Sequence, residues 1–269
     1  MADPAAGRIG CGGSSSGDIP IPALNQTNDR GADDMSSVSA IVCVRNGARY
    51  LAEAMDSIYG STIQPTEVIV LDGGSSDDTC AIARTYPGVR IVPQRSTGIA
   101  NAYNEAITAA NGDLLAFLSH DDIWLPGKLD KHVAAMRADP ALDYTTSLVQ
   151  HFLDDGAAVP NGFRRELLDG PVPGAIMETL VVRPRAFEKI GGFNPKFRAG
   201  EDTDWFARAR DIGLASAMLP EVLVRKRVHE TNLSINTGNL NRHLMVALRA
   251  SVVRKREAAA KVGVDNVGD

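Results

Sequence analysis

The chain has 269 residues, a net charge of −5 and 44% apolar residues, so it can bury a full core and suits one α/β domain with tails. The mild acidity argues against nucleic-acid binding. Three scattered cysteines (Cys11, Cys43 and Cys80) make neither a disulfide framework nor a cysteine-rich zinc site, and no apolar run reaches membrane-spanning length; a reducing cytosol is the simplest compartment.

Residues 1 to 36 are rich in Gly, Ser, Ala and Asp, lack the apolar core of a signal peptide, and are expected to form a disordered leader. Val38 to Val44 is β-branched and predicts a first strand, followed by an Arg45-Asn46-Gly47 turn. Leu51, Ala54, Met55 and Ile58 recur at helical spacing. Thr66 to Leu71 predicts a second buried strand, closed by Asp72-Gly73-Gly74-Ser75-Ser76-Asp77-Asp78-Thr79. The glycines let backbone approach a ligand, and Ser75 or Ser76 can cap a helix running to about Tyr86. Val89 to Val92 is a short third strand, and Gly98 to Ala110 a helix ended by Asn111-Gly112.

Leu114 to Leu118 reads as a strand buried on both faces, and it ends in Ser119, His120, Asp121 and Asp122. Adjacent carboxylates at the end of a buried strand are costly unless something positive sits there. That end of an open α/β sheet is also where ligands bind, and Mg²⁺ or Mn²⁺ carrying a phosphate meets the requirement. A helix cap by Asp122 is the plainer alternative. Strand and helix alternate throughout this half, which predicts parallel βαβ units with Asp72 and Asp121 at one sheet edge.

In the second half Leu129, Val133 and Met136 mark a helix, Tyr144 to Phe152 a strand, 154 to 169 a loop, and Gly174 to Val182 another strand. A short helix runs to Ile190 and stops at Gly191-Gly192. Trp205, Ala209 and Ile212 form the apolar stripe of a helix whose start carries Glu201, Asp202 and Asp204, more acid than a helix dipole asks for. Leu214 to Val224 is a last strand region, followed by Arg225-Lys226-Arg227-Val228-His229. Residues 239 to 262 predict a basic amphipathic helix, with Leu240, Leu244, Leu248 and Val252 opposite Arg242, Arg249, Arg254, Lys255 and Arg256. It is expected to pack on the domain or on a second copy, with contact to anionic lipid at the inner face of a membrane as the sharper alternative. His132, His151, Trp124 and Trp205 read as packing residues.

Taken in order, Val38 to Asn46, Tyr50 to Ile58, Glu67 to Thr79, Gly112 to Pro126, Gly191-Gly192-Phe193, Gly200 to Asp204 and Arg227-Val228-His229 with Asn232-Leu233-Ser234 resemble a family 2 glycosyltransferase of the GT-A fold, over residues 38 to 234. The resemblance implies a mostly parallel, partly mixed Rossmann-like sheet flanked by helices, with a helical C-terminal tail. It implies a domain over 37–236 and a tail over 237–269. It also implies an inverting transfer from a nucleotide diphosphate sugar, most often UDP-linked, assisted by Mn²⁺ or Mg²⁺. By the same resemblance Asp72 binds the base, and Val42, Val44, Arg45 and Asn46 line the base and ribose pocket. Gly73, Gly98, Ser119 and His120 complete the donor site. Asp121 is the last acid of the Asp-x-Asp metal motif, with His229 as a further metal or diphosphate contact. Asp202 is the catalytic base, with Glu201 as runner-up.

Three positions depart from the family pattern. Ser119 replaces the first acid of Asp-x-Asp, Gly73 a commonly acidic position, and Arg45 a common aromatic. The Gln-x-x-Arg-Trp motif of processive synthases is absent, which implies single addition. The acceptor (a glycan, a lipid-linked sugar or a peptide) is expected to meet the loops around 154–173 and 194–200. A sugar-nucleotide-forming nucleotidyltransferase is the first alternative, but Arg45-Asn46-Gly47-Ala48-Arg49 is short and poor in glycine for its loop. A nucleotide-sugar-binding module without turnover is the second, left open by Ser119.

Overall fold

A computed structural model describes residues 19, 20, 22, 37–232 and 245–256. The elements in chain order are β1 (Val38–Val44), α1 (Leu51–Tyr59), β2 (Glu67–Asp72), α2 (Thr79–Ala83), β3 (Val89–Pro93), α3 (Ile99–Ala109), β4 (Leu114–Ser119), β5 (Ile123–Trp124) and α4 (Lys128–Ala138). They continue with β6 (Tyr144–Phe152), β7 (Val172–Pro173), β8 (Val181–Val182), α5 (Arg185–Ile190), α6 (Glu201–Asp211), β9 (Ser216–Arg227) and a helix α7 over residues 245–256. The strands form one sheet in the order β3-β2-β1-β4-β8-β6-β9-β5, with β7 paired to β6. β3, β2, β1 and β4 run parallel, as the βαβ alternation predicts. β8 lies antiparallel between β4 and β6, while β9 runs parallel to β6.

Alternation along each strand divides the core between two faces. Val38, Ala40, Val42 and Val44 of β1 pack with Leu51, Met55 and Ile58 of α1 and Leu129, Val133 and Met136 of α4. Ile41 of β1, Phe117 of β4 and Leu71 of β2 pack with Tyr103 and Ile107 of α3, Phe187 of α5 and Trp205 of α6. Each fully buried side chain of this size contributes about 1.5–3 kcal/mol of hydrophobic free energy. Because helices cover both faces, β1 and β4 read as continuous apolar runs rather than alternating ones.

The amino ends of β2 and β4 are tied to β1 through Ser39. Its hydroxyl donates to Glu67 Oε1 (2.6 Å) and accepts from Gly112 N (2.8 Å). Glu67 also accepts from Asn111 N (2.6 Å) and Arg90 Nη2 (2.8 Å).

Several boundaries differ from the sequence expectation. The expected strand over 174–182 is interrupted by a 3₁₀ turn at Met177–Thr179, leaving β8 only Val181–Val182. The last strand runs past Val224 to Arg227 and gains β5 as an antiparallel partner. Neither Ser75 nor Ser76 caps α2; Asp77 accepts from Thr79 N (3.1 Å) instead, and the helix ends at Ala83. Asp122 does not cap α4, whose N-cap is Gly127 at φ 82°. Ile212 lies off the buried stripe of α6 and is 53% exposed.

α7 docks through Ala247 and Ser251, with Ser251 Oγ donating to Asp211 Oδ1 (2.8 Å) and Arg254 Nε to Oδ2 (2.9 Å). Leu248 and Val252, expected to face the domain, are turned out to solvent. Leu240, Leu244 and Arg242 lie outside the described residues. In the expected leader, Pro20 O accepts from Gly192 N (2.8 Å), so that point of the chain is packed on the domain. No helix among the described residues is long and apolar enough to cross a membrane.

A Cβ added at Gly112 would stand 2.6 Å from Ser39 N and 2.9 Å from Leu114 O, backbone atoms of β1 and β4 that cannot swing aside. Gly112→Ala is therefore expected to cost about 1–3 kcal/mol of overpacking strain. Urea unfolding measures it, and an unchanged midpoint refutes it.

Candidate active site

The carboxyl ends of β1, β2 and β4 open on one crevice, where the strand order reverses direction from β1. On the β2 side, Asp72 accepts from Ser75 N through both oxygens (3.1 and 3.2 Å). Asn46 sits at φ 53°, a left-handed conformation that Asn tolerates, and its Oδ1 accepts from Ser76 N (2.8 Å). Asn46 N donates to Ser75 Oγ (2.8 Å) and Gly47 N to Thr79 Oγ1 (2.8 Å), so the two turns are stitched together. Gly73 is closely packed: a Cβ there would meet Arg45 Cβ and Gln94 Oε1 at 3.1 Å, so a neighbour would have to give by a few tenths of an ångström. Gly98, at φ 97°, opens α3 in a conformation suited to glycine. Arg45 is exposed beside the crevice. Val42 and Val44 are corrected: alternation turns both side chains into the core under α1, leaving only their backbone near the strand end.

On the β4 side the two adjacent acids have separate environments. Asp121 Oδ2 accepts from His229 Nε2 (2.8 Å) and Asn232 Nδ2 (3.2 Å), and the His229 ring stacks on Tyr50 at 5.2 Å. Burial works against the Asp121 charge, but the His229 hydrogen bond and the nearby His120 and Lys226 outweigh it and hold the carboxyl down at about 2. His120 is half-buried, its ring over Gly47, and burial lowers its pKa. Asp122 is fully buried, which pushes its carboxyl up to about 8, and it accepts from Lys226 Nζ (2.8 Å) and Arg227 N (2.7 Å), the donors that favour its charged form. The positive partner that the sequence demanded of this acid pair is thus supplied for Asp122 by β9.

α6 brings the acids of its first turn from the opposite side. Its start is pinned by Arg208, which bridges Asp204 Oδ2 (2.8 Å) and Gly192 O (2.7 Å). Asn104 of α3 holds Phe193 through both its backbone N and O (2.8 Å each). Asp204 is thereby spent on structure. Asp202 Oδ1 accepts from Thr203 N (2.6 Å), while Oδ2 has no partner among the described residues. Burial and then the Glu178 charge push Asp202 up to about 6. Glu201 is more deeply buried; burial and then Asp202 push it up to about 8.

Two side chains that the sequence reading overlooked complete the cluster. Glu178, buried on the 3₁₀ turn that interrupts the expected strand, accepts a hydrogen bond from Ser119 Oγ. Lys226 Nζ lies 3.1 Å from Glu178 Oε1. A lone acid inside the apolar run Ile176 to Val182 was the available signal for the first. Arg227 is the other neglected cation: its Nε donates to Asp121 O (2.9 Å), and its guanidinium pairs with Asp154 and Glu53.

Among the described residues no three His, Cys, Asp or Glu side chains form a metal-binding group. Asp121 and His229 nevertheless stand together at the crevice, one ionised carboxylate beside one imidazole. A hard divalent cation that keeps several waters and shares its remaining positions with a substrate phosphate fits such a donor pair.

Removing the buried Asp122 strands Lys226 without its closest acid. Asp122→Ala is expected to lose about 3–5 kcal/mol of stability, as breaking a buried ion pair does. Asp121→Ala, at the edge of the crevice, should cost less. Denaturant unfolding of both variants checks the order, and equal losses contradict it.

The profile of glycosyl transferase family 2 matches residues 39–215. An uncharacterised glycosyltransferase of Rickettsia typhi is 30% identical over 217 residues, 74% of this chain and 67% of that protein. Staphylococcus aureus TarS 1–349 in complex with UDP-GlcNAc superposes with a TM-score of 0.62 at 17% identity, over 81% of this chain and 66% of that one. Glucosyl-3-phosphoglycerate synthase of Mycobacterium tuberculosis in complex with Mn²⁺, UDP and phosphoglyceric acid superposes with a TM-score of 0.59 at 18% identity, over 87% of each chain. The chain spans about two thirds of the Rickettsia and Staphylococcus proteins. With the profile matching well over half of its length and a relative at 30% identity, the chain belongs to glycosyltransferase family 2.

Proposed function

We propose that this glycosyltransferase moves a sugar from a UDP-linked donor to an acceptor hydroxyl, once per binding event, with inversion at the anomeric carbon. The observation that carries the reading is an ionised Asp121 hydrogen-bonded to His229 at the end of β4, together with Asp202, which has one oxygen open and, like Asp121, feels the charge of Lys226. Asp72 and the Asn46 turn take the base and ribose. Asp121 and His229 hold a divalent cation, Mn²⁺ or Mg²⁺, and the Mn²⁺ and UDP bound to the mycobacterial synthase support that assignment. Such a cation, when bound, neutralises charge on the departing diphosphate.

The acceptor oxygen attacks the anomeric carbon from the face opposite the phosphate, forming the new glycosidic bond as the carbon–phosphate-oxygen bond breaks. The acceptor proton passes to Asp202 Oδ2, the oxygen left open by the Thr203 hydrogen bond. A carboxyl pushed up to about 6 is both ionised at neutral pH and basic enough to accept a proton. Burial and then the Asp202 charge push Glu201 up to about 8, which favours its protonated form at neutral pH and Asp202 as the base.

Asp202→Asn keeps the side chain's size and one oxygen for Thr203 N. It is expected to lower kcat roughly 10²- to 10⁴-fold, with KM for the donor and Tm unchanged. The base works only when deprotonated, so wild-type kcat should rise with pH through about 6, and the variant should lose that limb. Turnover near the wild-type rate refutes the assignment.

Metal dependence is read separately. Excess chelator, or Asp121→Ala, should weaken UDP binding in calorimetry while the fold is retained. Unchanged affinity and turnover in chelator remove the cation from the scheme.

A further inference from the structure

The mechanism above leaves Lys226 unused. It lies opposite His151 in the β6–β9 register, near the end of β9. Strand alternation sends Arg225 and Arg227 to one face, where both guanidiniums cover the Phe152 ring at 4.1 and 4.7 Å, and Lys226 to the other. There its ammonium sits 2.8 Å from Asp122 Oδ2 and 3.1 Å from Glu178 Oε1. An ammonium has three N–H donors. Two are taken by these acids, and the third meets no acceptor among the described residues, although the side chain keeps 19% exposure. Burial opposes the charge, but Asp122, Glu178 and Asp121 outweigh it and hold the pKa well above the ordinary lysine value. The result is a fixed cation with one donor open.

We propose that Lys226 is a substrate-binding residue whose free N–H donates to the diphosphate of the nucleotide donor, and that Ser119 and Glu178 are the cradle that aims it. The proposal rests on the reading of the crevice as a nucleoside diphosphate sugar site. It also gives the Ser119 departure a physical reason. An acid at position 119 would face Glu178 and repel it, whereas the serine hydroxyl donates to Glu178 and leaves that carboxylate charged for Lys226. A compact, strongly charged ammonium suits a phosphate oxygen, which accepts from any direction and gains charge as the glycosidic bond to it breaks. Glu178 acts through Lys226 and is a positioning residue.

The test is calorimetry on the full chain in Mg²⁺ with three probes: UDP, uridine and inorganic pyrophosphate. The variants are K226M and the double variant K226M/D122N, which removes one charge of each sign, keeps an oxygen for Arg227 N and leaves Glu178 bonded to Ser119 Oγ. The result is taken from whichever melts as the wild type does; the double variant is built to do so. A lost charged hydrogen bond predicts a fall of roughly 10- to 100-fold in affinity for UDP and for pyrophosphate, with uridine unchanged. Unchanged UDP and pyrophosphate affinities overturn the proposal. So does a parallel loss of uridine binding, because a lysine that only supports the fold disturbs base and phosphate contacts together. Pyrophosphate keeps the two readings apart. If the wild type binds it but not uridine, the uracil assignment fails while Lys226 is still tested. If the wild type binds neither UDP nor pyrophosphate, the Lys226 contact is refuted as well.

Discussion

One buried carboxylate joins the two halves of the sheet. Asp122, at the end of β4, is met by the backbone N of Arg227 and the ammonium of Lys226, and Lys226 is 104 residues further along the chain. Leaving such an acid unpaired inside a protein costs several kcal/mol, so the end of β9 cannot drift from the end of β4. The remaining contacts of the crevice follow from that junction. Arg227 reaches back to Asp121 O, Lys226 continues to Glu178, and His229, two residues later, reaches Asp121 Oδ2. The clamp ties the ends of β4 and β9 and the turn at Glu178 together where the pairing of β9 with β6 and of β8 with β4 has already brought them close.

The same low-dielectric surroundings sort the acids by role. Asp121 receives a hydrogen bond from His229 and stays ionised far into acid. Asp202 has one oxygen held and the other open, and lies near neutrality. Glu201, one residue earlier and more deeply buried, is driven to the protonated side. Three carboxyl groups of ordinary intrinsic acidity are thereby spread from ionised through near-neutral to protonated, the separation on which the proposed roles rest. Pairs of acids whose environments push them apart are a common basis for assigning such roles.

The first half of the fold was legible because its elements are locally encoded. Buried parallel strands read as apolar runs, helices show their stripe, and Gly112, Gly98 and Gly127 mark turns that other residues cannot make. The crevice acids Asp72, Asp121, Asp202 and Glu201 were legible because each ends a strand or opens a helix. Glu178 and Lys226 were not. Glu178 interrupts a run of β-branched and apolar residues that reads as one strand, and only the pairing of β8 with both β4 and β6 turns it into a 3₁₀ bend. Lys226 looks like part of a basic run until the long, bulged pairing of β9 with β6 carries it inward. Both depend on contacts between segments far apart in sequence, which local periodicity does not record. The C-terminal stripe failed for a related reason: α7 is held by polar bonds to Asp211, so its apolar residues did not decide which face docks.

The crevice is charged unevenly, and that gives a bound donor one direction. At the Asp72 end the groups are turn amides and short polar side chains near the surface. In the middle stand Lys226 and His229, beside the acid proposed to hold a cation. At the α6 end the acids are buried and hard to ionise. A nucleoside diphosphate sugar has a neutral base, a doubly anionic middle and a neutral sugar. Moving its diphosphate toward α6 would bring phosphate against Asp202, and moving it toward Asp72 would give up the proposed contact with Lys226. On the proposed reading, charge therefore favours a donor whose anomeric carbon lies between the diphosphate and the open oxygen of Asp202, without any contact that reads the sugar's identity.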